Sequence, residues 1–97
     1  MFARVTTAHG APEKLDAGLA AVREGLRASV ADLEGFRGGY VLIDRHGGKH
    51  MSVTLWDTRE AAETRSELPP HVRRELMEAF GLAQAPTHEI FEVAVEA

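Results

Sequence analysis

The sequence predicts an α+β fold of the ferredoxin-like, split βαβ type, with one antiparallel sheet and helices on one of its faces. The first observation is the order of hydrophobic periods, which reads strand, helix, strand, strand, broken helix, strand. The second is a Gly-Gly hairpin that joins two strand–helix–strand halves. Right-handed crossovers then place both helical segments on the same face. At this length we expect residues 1–97 to form a single domain.

The first half begins with a β-branched run and a long amphipathic helix. Residues 2–8 predict a strand, and Pro12 stands where a first helical residue is expected. Gly35 is expected to end the helix. Gly18 and Gly25 each weaken it by about 1 kcal/mol relative to Ala, so packing must hold it. The apolar stripe is Leu15, Leu19, Val22, Leu26, Val30 and Leu33.

A hairpin follows, with a second strand over 40–45 and a third over about 50–56. One face of the third strand is purely aliphatic, and we expect that face to carry the helices. The other face is mixed: His50, Ser52, Thr54 and Trp56.

The second half is expected to form a broken helix and a closing strand. Asp57 or Thr58 caps the first piece, Pro69-Pro70 stops it, and Gly81 ends the second piece. The last strand is predicted over 88–95. The apolar helix positions are Ala61, Ala62 and Leu68 in the first piece and Val72, Leu76 and Phe80 in the second.

The alternation leaves one sheet face without helices. Its expected members are Arg4, Tyr40, Leu42, Ser52, Thr54, Trp56 and Ile90, whereas Phe80 and Phe91 are expected in the core beneath the helices. Soluble monomers avoid so large an apolar patch. We therefore expect a C2 homodimer with a pocket between or beside its two sheets, for a small hydrophobic or aromatic ligand.

Composition excludes several function classes. A net charge of −4 without a basic stripe argues against nucleic-acid binding. The absence of Cys excludes thiol chemistry and fits the cytoplasm. Neither a signal peptide nor a membrane span is visible. We expect no metal and no cofactor, since no ligand trio and no nucleotide motif stand out.

Three residues have a functional and a structural interpretation. Trp56 either fills a dimer interface or stacks on a substrate. Arg4 either forms a salt bridge with Asp44 or Glu92, or anchors a phenolate or carboxylate. His50 is either a general base near a phenol or a solvated turn residue.

The remaining candidates lie in the last helix and at strand ends. His71 follows the two prolines, where a loop often guards a pocket. Arg73 and Arg74 fit either a site or a solvated helix face. His9 and His88 are given no role.

Two segments resemble the antibiotic biosynthesis monooxygenase family. Residues 33–39 (LEGFRGG) are similar to its Pro-Gly-Phe segment before the second strand, with Glu34 in place of the usual proline. Residues 53–61 (VTLWDTREA) are similar to its Val-x-x-Trp-x-Ser-x-Glu-Ala junction, and residues 91–93 (FEV) to its closing strand. The resemblance covers the whole chain. It implies a dimeric α+β barrel with a cavity on the bare sheet face.

The resemblance also implies chemistry. Characterised members oxidise polyphenolic compounds to quinones without flavin or metal. Trp56 matches the family's Trp, but Ser52 stands where an Asn is usual and Ala62 where a Tyr is usual. A later Arg corresponds to Arg73 or Arg74.

A second, haem-degrading branch of the family matches less well. Arg4 stands where that branch has an Asn, and Arg65 where it has a Trp. The His of that branch aligns near Glu75 of this chain, and His71 lies four residues earlier.

The leading interpretation is a cofactor-independent monooxygenase that oxidises a small aromatic compound with O2. The expected catalytic residues are Trp56, His50, His71 and Arg74. The expected substrate contacts are Arg4, Tyr40, Ser52, Thr54, Trp56 and Ile90. The alternatives are a non-catalytic dimeric small-ligand-binding protein and a haem-binding or haem-degrading protein.

Overall fold

A computed structural model describes residues 1–29, 33–64 and 69–97 and confirms the predicted order of elements. A short 3-10 turn, Pro12–Lys14, precedes the first helix and begins with the predicted proline. The elements are β1 (Phe2–His9), α1 (Leu15–Ser29), β2 (Phe36–Asp44), β3 (Lys49–Trp56), α2 (Arg59–Thr64), α3 (Pro70–Phe80) and β4 (Thr87–Glu92). Val30, Arg65 and Leu68, which were named among the predicted residues, lie outside the described residues.

The four strands form one open antiparallel sheet in the order β2-β3-β1-β4. This is the ferredoxin-like arrangement, in which each half of the chain contributes one edge strand and one central strand. Among the described helices, none is long and apolar enough to cross a membrane.

Helices α1 and α3 pack against each other through two glycines. Gly18 of α1 lies directly against the ring of Phe80, and Gly25 lies opposite Val72. Both Phe80 and Leu15 are buried. Gly18, one of the two residues that weaken α1 in isolation, is therefore the residue that lets α3 approach it closely, whereas Gly25 makes only an ordinary contact.

Thr58 caps α2, which decides between the two predicted caps. Its Oγ1 accepts a hydrogen bond of 3.1 Å from the Ala61 N–H, a typical N-cap interaction. Asp57 instead forms an ion pair with Arg37, and its N–H donates to the Gly35 carbonyl at 2.8 Å.

Replacing Thr58 with Ala is expected to lower the free energy of unfolding by about 1 kcal/mol, because the Ala61 N–H loses its acceptor. Urea unfolding followed by circular dichroism measures the change. A Thr58→Ser variant keeps the hydroxyl and is expected to retain most of the stability. Equal loss in both variants would contradict the capping role.

Two strand boundaries differ from the prediction by more than one residue. β2 begins at Phe36, with a register irregularity between Phe36 and Gly39, where Gly38 adopts a φ of 104°. β4 ends at Glu92 instead of Val95 because β1, its neighbour, begins at Phe2. One more hydrogen bond, from the Val93 N–H to the Met1 carbonyl at 2.9 Å, closes that end.

The two sheet faces are assigned by the register and by what packs on them. Tyr40 pairs with Val53 and Leu42 with Met51, so these four share one face, which we call the open face. Tyr40 and Leu42 are 68% and 51% exposed, as expected for a face without helices. Phe91 lies there as well and is 49% exposed, so its predicted place in the helix-covered core is wrong.

The opposite face, here the helix-covered face, contacts α2 near Trp56 and Phe80 of α3 near His50. The prediction that five further residues lie on the bare face is wrong, because strand pairing places them here. They are Arg4, Ser52, Thr54, Trp56 and Ile90. The aliphatic face of β3 does not carry the helices. The apolar character of a sheet face indicates that the face is buried, but it does not indicate whether a helix or a second sheet packs on it.

Candidate functional site

Polar side chains line the middle of the helix-covered face. Thr6 of β1 lies opposite Ser52 of β3 on one side and His88 of β4 on the other. Arg4, two residues along β1, lies opposite Thr54. All are half-buried except His88, which is exposed. We call these five residues the polar floor. Polar groups beneath helices need partners, and a row of them on an otherwise apolar face can hydrogen-bond a ligand as well as one another.

An aromatic wall stands at one end of the polar floor. The Trp56 indole is fully buried beneath Ala61 and Ala62 of α2. Its Nε1 donates to Thr54 Oγ1 at 2.9 Å, and Phe36 meets it edge-on with ring centroids 5.3 Å apart. The hydrogen bond and the edge contact fix the orientation of the indole.

Arg4 brings a positive charge onto the polar floor. Its Nη1 lies 3.4 Å from the Ala62 carbonyl and 3.3 Å from the Glu63 carbonyl, in the last turn of α2. The carbonyl end of a helix carries partial negative charge, so the guanidinium is stabilised there. The predicted alternative of a salt bridge with Asp44 is wrong. Asp44 pairs across from Lys49 on the open face, and its carboxylate accepts from the His46 N–H at 3.0 Å.

His50 lies at the far end of the same face and is not a solvated turn residue. Its ring stacks on Phe80 with centroids 3.9 Å apart and planes 19° apart. Its Nδ1 is buried without a hydrogen-bond partner among the described residues. Burial, and to a lesser extent the nearby His9, lowers the pKa of His50. The neutral imidazole is therefore the form that the fold accommodates.

His50 makes folding sensitive to acid. The unfolded chain protonates this residue near 6.5, whereas the folded pKa is lower. The contribution of His50 to stability is therefore complete above about pH 6.5, the unfolded value, and is lost as the pH falls from there through the folded pKa. We expect urea midpoints measured from about pH 8 to about pH 5 to fall less in a His50→Phe variant than in the wild type. A His46→Gln control should keep the wild-type slope, and an unchanged slope in both variants would contradict the argument.

The structure separates the predicted site residues into groups. Arg4, Ser52, Thr54, Trp56 and Ile90 lie together around the polar floor. His50 lies six residues from Trp56 along β3, or about 20 Å.

Three other predicted residues lie elsewhere. Tyr40 is on the open face. His71 and Arg74 are exposed on α3, where Arg74 borders a shallow groove with Lys14, Met77 and Glu78.

Thr6 and His88 belong to the polar floor, although neither was predicted as a site residue. Strand alternation could have identified them, because residues two apart in a strand lie on the same face of the sheet. Thr6 is two residues from Arg4 in β1, and His88 is two residues from Ile90 in β4. In the described part of the chain, no group of three His, Asp or Glu side chains has an arrangement suited to a metal ion.

The sequence matches a protein-family model. Residues 1–80 match that of the antibiotic biosynthesis monooxygenases. The match includes β1 and the Trp56 junction, which contribute most of the polar floor.

Solved structures show the same fold. One is a monooxygenase from the gene ActVA-Orf6 of Streptomyces coelicolor in complex with nanaomycin D. It superposes with a TM-score of 0.82 at 16% identity and covers 99% of this chain and 89% of that one. Another is Rv0793 from Mycobacterium tuberculosis, with a TM-score of 0.72 at 18% identity, covering 99% and 97%.

Curated relatives are longer than this chain. The uncharacterised protein Rv2557 of Mycobacterium tuberculosis is 31% identical over 94 residues, which is 97% of this chain and 41% of that protein. The uncharacterised protein Rv2558 of the same organism is 30% identical over 73 residues, which is 75% of this chain and 31% of that protein. The chain thus spans about two fifths of the length of Rv2557.

Proposed function

Because this chain belongs to the antibiotic biosynthesis monooxygenase family, we propose that it oxidises a small, electron-rich aromatic compound with O2 on the polar floor. The observation that carries the proposal is the grouping of Trp56, Thr54 and Arg4 under α2. The buried Trp56 holds Thr54 in place, and the positive charge of Arg4 beside Thr54 suits a phenolate.

In the reaction we propose, the substrate supplies the electrons. Ionisation of a phenol makes the ring carbons ortho and para to its oxygen electron-rich. One of these carbons reduces O2. That carbon, which still carries its hydrogen, bonds one O2 molecule; the phenol oxygen becomes a carbonyl, and its former proton completes a hydroperoxide. Loss of one water molecule, formed from the ring hydrogen and the outer O–H of the hydroperoxide, leaves a second ring carbonyl. The carbon is thereby oxidised, one oxygen atom stays on it and the other leaves in the water. The chain's own residues position the ring, stabilise the phenolate and shield the peroxide from water. No cofactor enters this balance.

The proposal includes a homodimer in the cytoplasm. The open face exposes Tyr40, Leu42 and Phe91 around the half-buried Val53 and Met51. A second sheet packed across this face would cover it, since both inner faces are apolar. The absence of cysteine supports the reducing compartment.

Oxygen uptake tests the proposed function. The purified protein is incubated with hydroxylated naphthalenes and anthrones while dissolved O2 and quinone absorbance are followed. Thr54→Val removes the acceptor of the Trp56 indole, and we expect about a tenfold loss of kcat/KM, the cost of about 1.4 kcal/mol of lost positioning. Thr87→Val is the matched control, since Thr87 is exposed at the start of β4 and is not part of the polar floor. Absence of oxygen uptake with every compound overturns the function. Equal activity of the two variants overturns the placement of the site.

A second candidate, a non-catalytic small-ligand-binding dimer, is favoured by Ala62. This residue is fully buried against Trp56 and offers a methyl group where the family resemblance implies a Tyr hydroxyl. Binding of the same compounds without oxygen uptake would select this candidate. A shifted absorption band on adding haem would instead select the haem-binding alternative, although Arg4 stands where that branch has an Asn.

A further inference from the structure

Thr6 and His88 form a hydrogen-bonded pair across β1 and β4. The Thr6 Oγ1 lies 2.9 Å from the His88 Nδ1. Thr6 is half-buried at the centre of the polar floor, whereas His88 is exposed at its edge. The pair therefore connects the interior of the helix-covered face to solvent.

The other histidines are less suited to proton transfer at the polar floor. His50 is enclosed against Phe80 at the far end of β3, with its pKa lowered by burial. His9, His46 and His71 are exposed outside the floor, at the end of β1, in the hairpin and on α3. Among the hydrogen bonds of the described residues, the one from a histidine to a floor hydroxyl is that of His88 with Thr6.

We propose that Thr6 and His88 act as a proton relay that removes the phenolic proton of the bound substrate; this rests on the proposed function. Thr6 touches the substrate, and His88 acts through Thr6 as the proton acceptor at the solvent edge. An imidazole is suited to this role because its ordinary pKa lies near neutral pH.

The relay moves two protons in the same direction. In the resting state, neutral His88 accepts the Thr6 hydroxyl hydrogen at Nδ1, so the Thr6 oxygen accepts from the phenol. The Thr6 proton passes to His88 while the phenolic proton passes to Thr6. The products are a phenolate that accepts from Thr6 and an imidazolium that donates to Thr6. No bond to carbon is broken, and the imidazolium later releases its proton to water.

A charged group beside the pair favours this charge separation. Arg4 of β1 lies on the same face, two residues from Thr6, and stabilises the phenolate. Glu92 lies on the same face of β4 as His88, but four residues along, about 13 Å away, so it contributes little to the imidazolium. From α2, Glu63 and Arg59 form an ion pair with each other at 3.0 Å.

The ionisation of a bound phenol tests the relay without oxidation. 2-Naphthol is added under nitrogen at neutral pH, and the absorbance of the naphtholate is recorded. We expect naphtholate on the wild type and on Thr6→Ser, which keeps the hydroxyl. We expect neutral naphthol on Thr6→Val and His88→Gln. His46→Gln is the matched control and should behave as wild type.

The same variants are then compared in turnover. We expect His88→Gln and Thr6→Val to lower kcat by about a hundredfold, with KM within about twofold, because proton transfer contributes to the transition state and not to binding. The acidic limb of the pH profile of kcat should disappear in His88→Gln and in Thr6→Val. The Thr6→Ser variant should retain it.

The outcomes separate the two proposals. Equal naphthol ionisation in all variants overturns the relay, and continued oxygen uptake would leave the proposed function standing. Ionisation that depends on Thr6 and His88 in a protein without oxygen uptake supports the relay and overturns the oxidation. Failure of the wild type to bind naphthol overturns the relay, since the polar floor is then not a phenol site.

Discussion

Replacing Gly18 with Ala is expected to destabilise the protein by about 1–3 kcal/mol, the usual cost of overpacking a core. The added methyl group would overlap the Cγ, Cδ1 and Cε1 atoms of Phe80. That ring is 1% exposed and is stacked on His50, so it has little space into which it could move. The loss is expected despite the better helix propensity of Ala, which favours the substitution by about 1 kcal/mol. Urea unfolding of the purified variant measures the effect.

Gly25→Ala is the matched control on the same helix. Its added methyl group would lie 3.6 Å from Val72 Cγ1, an ordinary contact. The propensity gain is then unopposed, and we expect stabilisation by up to about 1 kcal/mol. Two variants of opposite sign would establish that α1 and α3 approach most closely at Gly18. Stabilisation by both would contradict that packing.

Local patterns predicted the elements because each depends on neighbours in sequence. The helical stripe through Leu15 and Leu19, the proline at the start of the first helical segment and Gly81 at the end of α3 were all predictable, and the structure confirms them. The packing role of Gly18 was not, because it depends on a Phe more than sixty residues away. From the sequence alone, a glycine in a helix shows only its unfavourable helix propensity. Its packing role becomes visible when the neighbouring side chain is known.

The sheet faces were predicted incorrectly for a related reason. Alternation shows that His50, Ser52, Thr54 and Trp56 share a face, but not which side the helices take. The small residues of α2 indicate the helix-covered face better, since Ala61 and Ala62 let α2 lie close to the bulky Trp56. An aliphatic face such as Met51, Val53 and Leu55 suits packing against another sheet as well as against a helix.

The pairing of Thr6 with His88 required the strand order. These residues are 82 positions apart in sequence, and only the order β3-β1-β4 makes them neighbours. Residue types alone therefore favoured His50, which lies in a cleanly alternating strand, and gave His88 no role.

Replacing Leu42 with Lys is expected to convert the proposed homodimer into a monomer. Leu42 is 51% exposed in this chain and lies beside Tyr40 on the open face, opposite Met51 of β3. A sheet packed across that face would bury the new ammonium group away from water, which costs several kcal/mol per unpaired charge. Twofold symmetry places the change in the interface twice, so the cost is doubled.

We expect the dissociation constant of the dimer to rise by at least about a hundredfold, which corresponds to about 2.7 kcal/mol. Sedimentation velocity over a dilution series measures it. Ala20→Lys introduces the same charge at an exposed position of α1 and should leave the dimer intact. A Leu42→Lys variant that remains folded and dimeric would show that the open face is not the interface. Because Trp56 and the polar floor lie on the opposite face, loss of the dimer with retained oxidation would show that each protomer holds a complete site.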